Sequence, residues 1–447
     1  MIDDSWPNTY SFHEPQAVEA RLNRPWLVDR ASDGLVNRFQ VAYRQAMDLP
    51  EGSFTVIIAQ QPSVFWPVWL ATVTAGRPIA LLSHTYCQQE KIKALDHLQP
   101  ALVYDGEQLQ SYPKPKIWPY YNQHILIPTG GSGGQLKWAV HHIDKLCAAV
   151  IALFKRLQTP LHSLAPLPLY HVSGLMPGLR AWCTQSTVAY PDFKSLEAGQ
   201  YLDQIPNRFV SLVPTQLQRL LNVPAAVQAL RQAQAIFLGG ASCPKSLWEA
   251  SRQARLPLAL SYGMTETAAM ISLQDPQEFL AGVHTLGHTL PGTQITLNAD
   301  NRIVIQSPSL FMGYFPEVPQ PMSAYLTDDT GELTSDRQLK WVKRADRIII
   351  CGGEKIDPDW LAHILQQTDL FEAIHIDGKT DPIWGSIIVA YAVSKSGPIA
   401  ESTLQSILDP ILPRLYHPKK WVWKEQLSFK SGFEPSGKQF IDQSRML

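Results

Sequence analysis

The sequence predicts an α/β protein in two parts: a large N-terminal domain of αβ-layered sheets with a β-rich subdomain, followed by a small C-terminal α+β domain. Three observations carry this. Short apolar runs alternate with helix-length segments from about residue 54 to about residue 263, the rhythm of strands laid parallel with helical crossovers. Past about residue 285 the alternation gives way to short strands separated by turn signals. The chain has 447 residues, too many for one ordinary core, and its helix and strand signals restart after Arg344-Ala-Asp-Arg347.

Taken in order, helical spacing covers Gln16–Leu22 and Leu35–Asp48, and the run Phe54-Thr-Val-Ile-Ile-Ala59 reads as a buried strand. Ser63–Ala75 is helix-like, Gly76-Arg77-Pro78 breaks it, and Ile79-Ala-Leu-Leu82 is the next strand. Ala101–Tyr104 continues the alternation, and strand-like Ile125-Leu-Ile127 runs into a Gly-rich loop, with a helix following at about Ile143–Leu157. Strands are then expected at Ser163–Leu167, Thr187–Ala189, Phe209–Val213, Ala235–Gly240 and Leu258–Gly263. Helices are expected over Leu175–Trp182, Thr215–Leu221 and Pro244–Gln253. Ligands of open α/β sheets gather at the carboxyl ends of the strands, so the loops there are where a site should assemble.

In the β-rich stretch Gln294–Leu297, Arg302–Gln306 and Leu339–Val342 read as strands. The last part should contain a strand at Ile348–Gly353 and a helix over Asp357–Leu365 with Pro358 at its first position. A strand at Ser386–Val393, a helix at Glu401–Leu412 and a final Lys/Trp-rich strand complete it. The domain boundary falls near residues 344–347.

Hydrophobic residues make up 45% and charged residues 17%, the profile of a globular chain. With 38 basic and 39 acidic residues there is no global field to draw nucleic acid or an anionic membrane, so recognition must be local. The five cysteines are scattered without a zinc-like spacing, which reads as reduced thiols in the cytoplasm. The start, Met1-Ile-Asp-Asp-Ser-Trp-Pro7, lacks the basic and apolar regions of a signal peptide, and no apolar stretch reaches membrane-spanning length.

The stretch Ile127-Pro-Thr-Gly-Gly-Ser-Gly-Gly-Gln-Leu-Lys137 holds four glycines, a Thr, a Ser and a Lys, all suited to approaching and donating to oxyanions. It is not a Walker A loop, because Leu136 and Trp138 occupy positions where that motif needs Gly and Ser or Thr. It also misses the dinucleotide fingerprint, whose third glycine would fall at Leu136. Alone, such a loop serves as a linker as readily as a phosphate cradle. Its partners decide.

Those partners come in order: Pro168-Leu-Tyr-His171-Val-Ser-Gly, Leu238-Gly-Gly-Ala-Ser242, Ser261-Tyr-Gly-Met-Thr-Glu-Thr267, Thr334-Ser-Asp336, Arg344 with Asp346, Gly352-Gly-Glu-Lys-Ile356 and Pro435-Ser-Gly-Lys438. The set, over about two thirds of the chain, resembles the adenylate-forming superfamily of acyl-CoA synthetases, adenylation domains and luciferases. The resemblance implies an adenylate-forming N-terminal domain (1–343) binding ATP and the acyl acid, a hinge (344–346) at Asp346, and a mobile C-terminal domain (347–447) carrying the catalytic Lys438.

By resemblance, Thr129, Gly131, Ser132, Gly134 and Lys137 hold the β- and γ-phosphates, although Gly133 replaces a hydroxyl residue and Leu136 a proline of the family loop. Gly239, Gly240 and Ala241 flank the adenine with Ser261 and Gly263, and Tyr262 stacks on it. Thr265 bonds the α-phosphate, Glu266 holds Mg2+, and Asp336 and Arg344 bind the ribose. Gly352, Gly353 and Glu354 line the CoA tunnel, and His171 closes over the acyl pocket. An aromatic dicarboxylate needs an apolar slot and donors for its non-reacting carboxylate. Leu175, Val213 and Met264 are candidates for the slot, and Ser173, Thr215 and Arg180 for the donors; core packing is the competing role of each apolar residue.

The implied activity is a two-step ligase using ATP, Mg2+ and CoA: adenylation of a carboxylic acid, then transfer of the acyl group to CoA. Its partners are small molecules, with no nucleic acid and no membrane insertion. Other aryl or small-acyl CoA ligases, carrier-loading adenylation enzymes and a nucleotide-binding regulatory protein remain alternatives. A homo-oligomer is compatible with an exposed Trp421-Val-Trp423 run, which packing within a domain explains equally.

Overall fold

A computed structural model describes residues 12–424 apart from 29–33, 87, 107, 131–135, 241–242, 244, 345–348, 352–353, 382–384 and 413. The main break between two compact units falls between Val342 and Lys343.

In the first unit, strands β1 (Thr55–Ile57), β2 (Ile79–Leu81), β3 (Leu102–Asp105), β4 (Gln108–Ser111), β5 (His124–Gly130) and β6 (Leu136–His142) form a sheet of order β4-β3-β1-β2-β5-β6. Its four inner strands are parallel, while β4 and β6 are antiparallel edges. Helices α1 (Pro15–Leu22), α2 (Leu35–Met47), α3 (Pro62–Thr74), α4 (Gln88–Leu98) and α5 (Ile143–Leu157) accompany it. Every residue of α3 from Ser63 onward is buried, because its apolar residues run all round the helix rather than along one stripe.

The second sheet joins β7 (Ser163–Leu164), β8 (Val188–Ala189), β9 (Phe209–Leu212), β10 (Ala235–Leu238), β11 (Leu258–Met264), β12 (Ala269–Leu273) and β13 (His288–Thr289) in the order β13-β12-β11-β10-β9-β7-β8. Strands β7 to β11 are parallel, and β12 and β13 are antiparallel additions. Around it lie α6 (Val172–Cys183), α7 (Phe193–Glu197), α8 (Pro214–Leu220), α9 (Pro224–Leu230), α10 (Lys245–Gln253) and α11 (Pro276–Leu280). One apolar cluster draws on both sheets and on α2, α3, α5 and α6 between them, which is the layered core the strand–helix rhythm requires. Strands β14 (Gln294–Leu297), β15 (Arg302–Gln306), β16 (Tyr325–Leu333) and β17 (Leu339–Arg344) make the β-rich third sheet.

The second unit builds a sheet from β18 (Ile349–Cys351), β19 (Glu354–Ile356), β20 (Phe371–Asp381), β21 (Gly385–Ser394) and β22 (Lys420–Trp423), with α12 (Pro358–Gln366) and α13 (Glu401–Leu408). The Asp357 carboxylate caps α12 by accepting from the N–H groups of Asp359 and Trp360, at 3.0 and 3.2 Å. Trp421 and Trp423 stack on Phe371, at 5.6 and 6.3 Å, so packing within this unit accounts for the Trp-rich strand.

Three expectations are corrected. The sheets are mixed rather than purely parallel. The Gly-rich stretch is followed by strand β6, not directly by a helix: Thr129 pairs with Lys137 and Gly130 with Leu136, so it closes a β-hairpin. The helix expected to Leu412 ends at Leu408.

Candidate active site

The hairpin sets the first part of the site. Its pairing holds Thr129 and Lys137 side by side at the mouth of the loop. Strand β6 gains a further neighbour on its outer side, where Val140 N–H donates to Gly313 O (3.0 Å), Met312 N–H to Val140 O (2.7 Å) and Phe315 N–H to Trp138 O (3.0 Å). This segment brings in Tyr314, whose ring lies 5.5 Å from the Lys137 ammonium.

Glu266 sits on a single 3-10 turn, Thr265–Thr267, between β11 and β12. The two strands approach so closely that a Cβ on Gly263 would lie 2.0 Å from the Ala269 carbonyl oxygen, so this position accepts only glycine. The Glu266 carboxylate is 8% exposed. It accepts from the Tyr314 hydroxyl at 2.8 Å and from the Thr129 hydroxyl at 3.4 Å. Burial, with the Glu266 charge second, pushes the Tyr314 phenol far up, so it stays a donor. His141, fully buried on β6, donates from Nε2 to the Thr265 carbonyl at 2.8 Å. Desolvation holds its pKa down to about 4, so the imidazole is neutral and that carbonyl fixes its tautomer. Hydroxyls, an ammonium and a carboxylate thus meet in one place, a donor set that suits polyphosphate with a hard cation.

Next to this lie the strand ends of the second sheet. Ser261 donates its hydroxyl to Leu238 O at 3.1 Å, just past the last β10–β11 pair, Leu238 with Leu260, and a Cβ on Gly239 would meet the Ser261 hydroxyl at 3.0 Å. Tyr262 is 7% exposed and belongs to an apolar cluster with Ile271, Ile295 and Leu310, which fixes its ring.

The acyl candidates divide. His171 stands at the N-cap position of α6 without a side-chain cap bond, with Tyr170 and His171 ring centroids 4.3 Å apart. Leu175 is fully buried in the main core, the packing role. Val213 is nearly buried before α8, whereas Thr215 on its first turn is exposed. Ser173 and Met264 are half-buried. Arg180 stands apart: its side chain is 4% exposed, lies 5.5 Å from the Phe237 ring, and pairs with no carboxylate among the described residues. Burial pulls its pKa down to about 10, still fully charged at neutral pH. Helix α6 is pressed so tightly on its neighbours that a Cβ on Gly178 would meet the Trp66 ring at 2.0 Å, which fixes the direction from which Arg180 projects.

Asp336 belongs to a separate network. Its carboxylate accepts from the Thr334 hydroxyl and, at 3.2 Å, from Gln338 Nε2, with His288 at 4.0 Å; the Thr334 bond is the main cause of its lowered pKa. Arg344 ends β17 and Glu354 begins β19. Gly131, Ser132, Gly134, Ala241, Asp346, Gly352, Gly353 and Lys438 lie outside the described residues. Tyr314 and His141 are neighbours of the candidate site residues that sequence reasoning passed over. The signal for His141 is a polar residue inside the otherwise apolar run Trp138-Ala-Val-His.

The AMP-binding enzyme family matches residues 72–315 of the chain. A 2-succinylbenzoate–CoA ligase from Listeria innocua is 27% identical over 344 residues, covering 74% of this chain and 73% of that one. A ligase of the same name from Bacillus licheniformis is 27% identical over 357 residues, with 74% and 73% covered. Among solved structures, o-succinylbenzoate CoA synthetase from Bacillus subtilis in complex with its acyl-adenylate intermediate aligns with a TM-score of 0.77 at 20% identity, covering 93% of this chain and 95% of that one. ATP-bound MatB from Rhodopseudomonas palustris gives a TM-score of 0.75 at 19% identity, covering 93% and 96%. The two scores are nearly equal, so the fold alone does not choose the acyl acid. With more than half of its length matched by that family's model, this chain belongs to the AMP-binding enzyme family.

Proposed function

We propose that this protein is an ATP-dependent, AMP-forming acid:CoA ligase that converts 2-succinylbenzoate to 2-succinylbenzoyl-CoA, a step of menaquinone or phylloquinone biosynthesis, in the cytoplasm. A carboxylate oxygen of the acid attacks the α-phosphorus of ATP, pyrophosphate leaves, and the CoA thiolate then displaces AMP from the acyl carbon. The chain's part is positioning and charge neutralisation. Lys137 and the loop donors take the β- and γ-phosphates, Thr265 the α-phosphate, Asp336 and Arg344 the ribose. Glu266 would hold Mg2+, which supplies positive charge against the phosphates. Lys438 bridges the reacting carboxylate and the α-phosphate and withdraws about Asp346 to admit CoA past Gly352, Gly353 and Glu354.

The observation that carries the choice of acid is Arg180. A buried guanidinium is costly unless an anion meets it, and none of the described carboxylates does. An aromatic acid whose second carboxylate reaches Arg180 supplies that anion, and the ligase names of the relatives point the same way. Pyrophosphate release measured across 2-succinylbenzoate, benzoates and fatty acids, with CoA and a holo-carrier protein as rival acceptors, tests the reading. Preference for a fatty acid refutes the substrate; preference for the carrier protein refutes the acceptor.

A further inference from the structure

We propose that Tyr314 is a positioning residue for adenylation, holding the Glu266 carboxylate with its hydroxyl and the Lys137 ammonium with its ring. One side chain thereby sets the separation of the acidic and basic groups that meet the nucleotide. The inference rests on the ligase reading above for the roles of Glu266 and Lys137, but its geometry is independent of the acyl acid.

The contacts are direct. The Tyr314 hydroxyl donates to Glu266 Oε1 at 2.8 Å, and Lys137 Nζ lies 5.5 Å from the ring centroid, within cation–π range. The backbone reinforces the arrangement from both sides. Tyr314 bridges Ala139 in the antiparallel sense, two residues from Lys137 on β6, and Phe311 N–H donates to the Glu266 carbonyl at 2.8 Å. The segment from Phe311 to Phe315 therefore clips the phosphate hairpin and the acidic turn to each other. The ring is itself fixed, by Phe311 at 4.9 Å and by the Tyr325 hydroxyl 3.3 Å from its own.

The chemistry favours a tyrosine here. A carboxylate that accepts a phenolic hydrogen bond keeps its charge and is oriented by it. An ammonium over an aromatic face likewise keeps its charge, because a neutral ring cannot neutralise it. Both groups stay available to a polyphosphate and its cation while their positions are fixed beforehand, the arrangement that makes electrostatic stabilisation effective.

Tyr314→Phe keeps the ring and removes the hydroxyl, and Tyr314→Leu removes both. Calorimetric binding of MgATP needs no acyl acid. The Phe variant should weaken it roughly tenfold, the loss of one hydrogen bond to a charged group, and raise the Mg2+ concentration for half-maximal pyrophosphate release by a similar factor. The Leu variant should weaken binding further. Thioester formation from preformed acyl-adenylate should stay within about twofold of wild type in the Phe variant, since the triphosphate that the oriented Glu266 carboxylate serves is absent from that half-reaction. Combining Tyr314→Phe with Glu266→Gln should add little to the single Glu266 change, as expected when one residue acts through the other. A merely structural role would lower the melting temperature and leave the Mg2+ requirement unmoved. Unchanged Mg2+ and ATP dependence in Tyr314→Phe, or additive losses in the double variant, overturns the proposal. Wild-type protein that binds MgATP but releases pyrophosphate with no acid refutes the ligase reading, while the binding comparison still decides Tyr314. Wild-type protein that binds no MgATP refutes both.

Discussion

Replacing Arg180 with Met should move stability and substrate use in opposite directions. Burial lowers the guanidinium from its ordinary 12.5 to about 10, a 2.5-unit shift that corresponds to roughly 3 kcal/mol of destabilisation in the ligand-free fold. Some of this is offset by the Phe237 ring, worth about 1–2 kcal/mol for a desolvated cation–π contact, and that contact goes with the charge. Met fills similar space with a flexible apolar chain. The ligand-free variant should therefore be about 1–2 kcal/mol more stable than wild type in urea unfolding. With 2-succinylbenzoate the sign reverses, because its second carboxylate is buried without a partner. Losing one side of a buried charge pair costs about 2–5 kcal/mol, so kcat/KM should fall by roughly thirtyfold to several thousandfold. Benzoate, which lacks the second carboxylate, should lose little. A ligand-free variant less stable than wild type, with both acids losing equally, would instead make Arg180 a packing residue.

Three further outcomes are expected. Lys438→Ala should slow adenylation on the order of a hundredfold or more while largely sparing thioester formation from preformed acyl-adenylate; equal losses in both half-reactions would remove Lys438 from its assigned role. Glu266→Gln should lower pyrophosphate release by about a hundredfold with a small change in melting temperature, since the Tyr314 and Thr129 hydroxyls can still donate to the amide oxygen; unchanged Mg2+ dependence would argue against a metal-holding role. His141, at about 4 when folded against 6.5 when unfolded, binds its proton more readily in the unfolded chain, so stability is full above pH 6.5 and falls as pH drops toward 4. Between pH 7 and pH 5 this group accounts for a loss of about 2 kcal/mol, and His141→Met should show a correspondingly flatter acid limb in chemical unfolding.

Much of the fold was legible because the strand–helix rhythm of the first unit is written in short apolar runs, and α5 matched its expected span from Ile143 to Leu157. Strand β6 was not, because Trp138, Ala139, Val140 and His141 are all buried. With both faces covered, no period of two survives to announce a strand. β16 was hidden by the opposite problem: it turns Thr327 rather than an aliphatic residue inward. In the candidate site, charged and hydroxyl residues in motifs could be named one by one, so Thr129, Lys137 and Glu266 were singled out before the fold placed them near one another. Tyr314 carries no such mark. It matters because Phe311–Phe315 lies along β6, and that adjacency is a tertiary fact.

The contacts around Glu266 also bear on when the site comes into being. The bond to Thr129 closes 137 residues of chain and that to Tyr314 another 48. Closing a loop of the longer length costs about 4 kcal/mol in chain entropy beyond the constant for any closure. During synthesis the hairpin is made long before Glu266, so on the proposed roles the first half of the chain would hold the phosphate donors without the group assigned to the cation. Nucleotide affinity therefore arrives late, when the first unit is nearly complete. A ligand that binds only then acts chiefly as a brake on unfolding rather than a guide to folding. The same long reach that spreads the site across the chain makes nucleotide a seal on the finished domain.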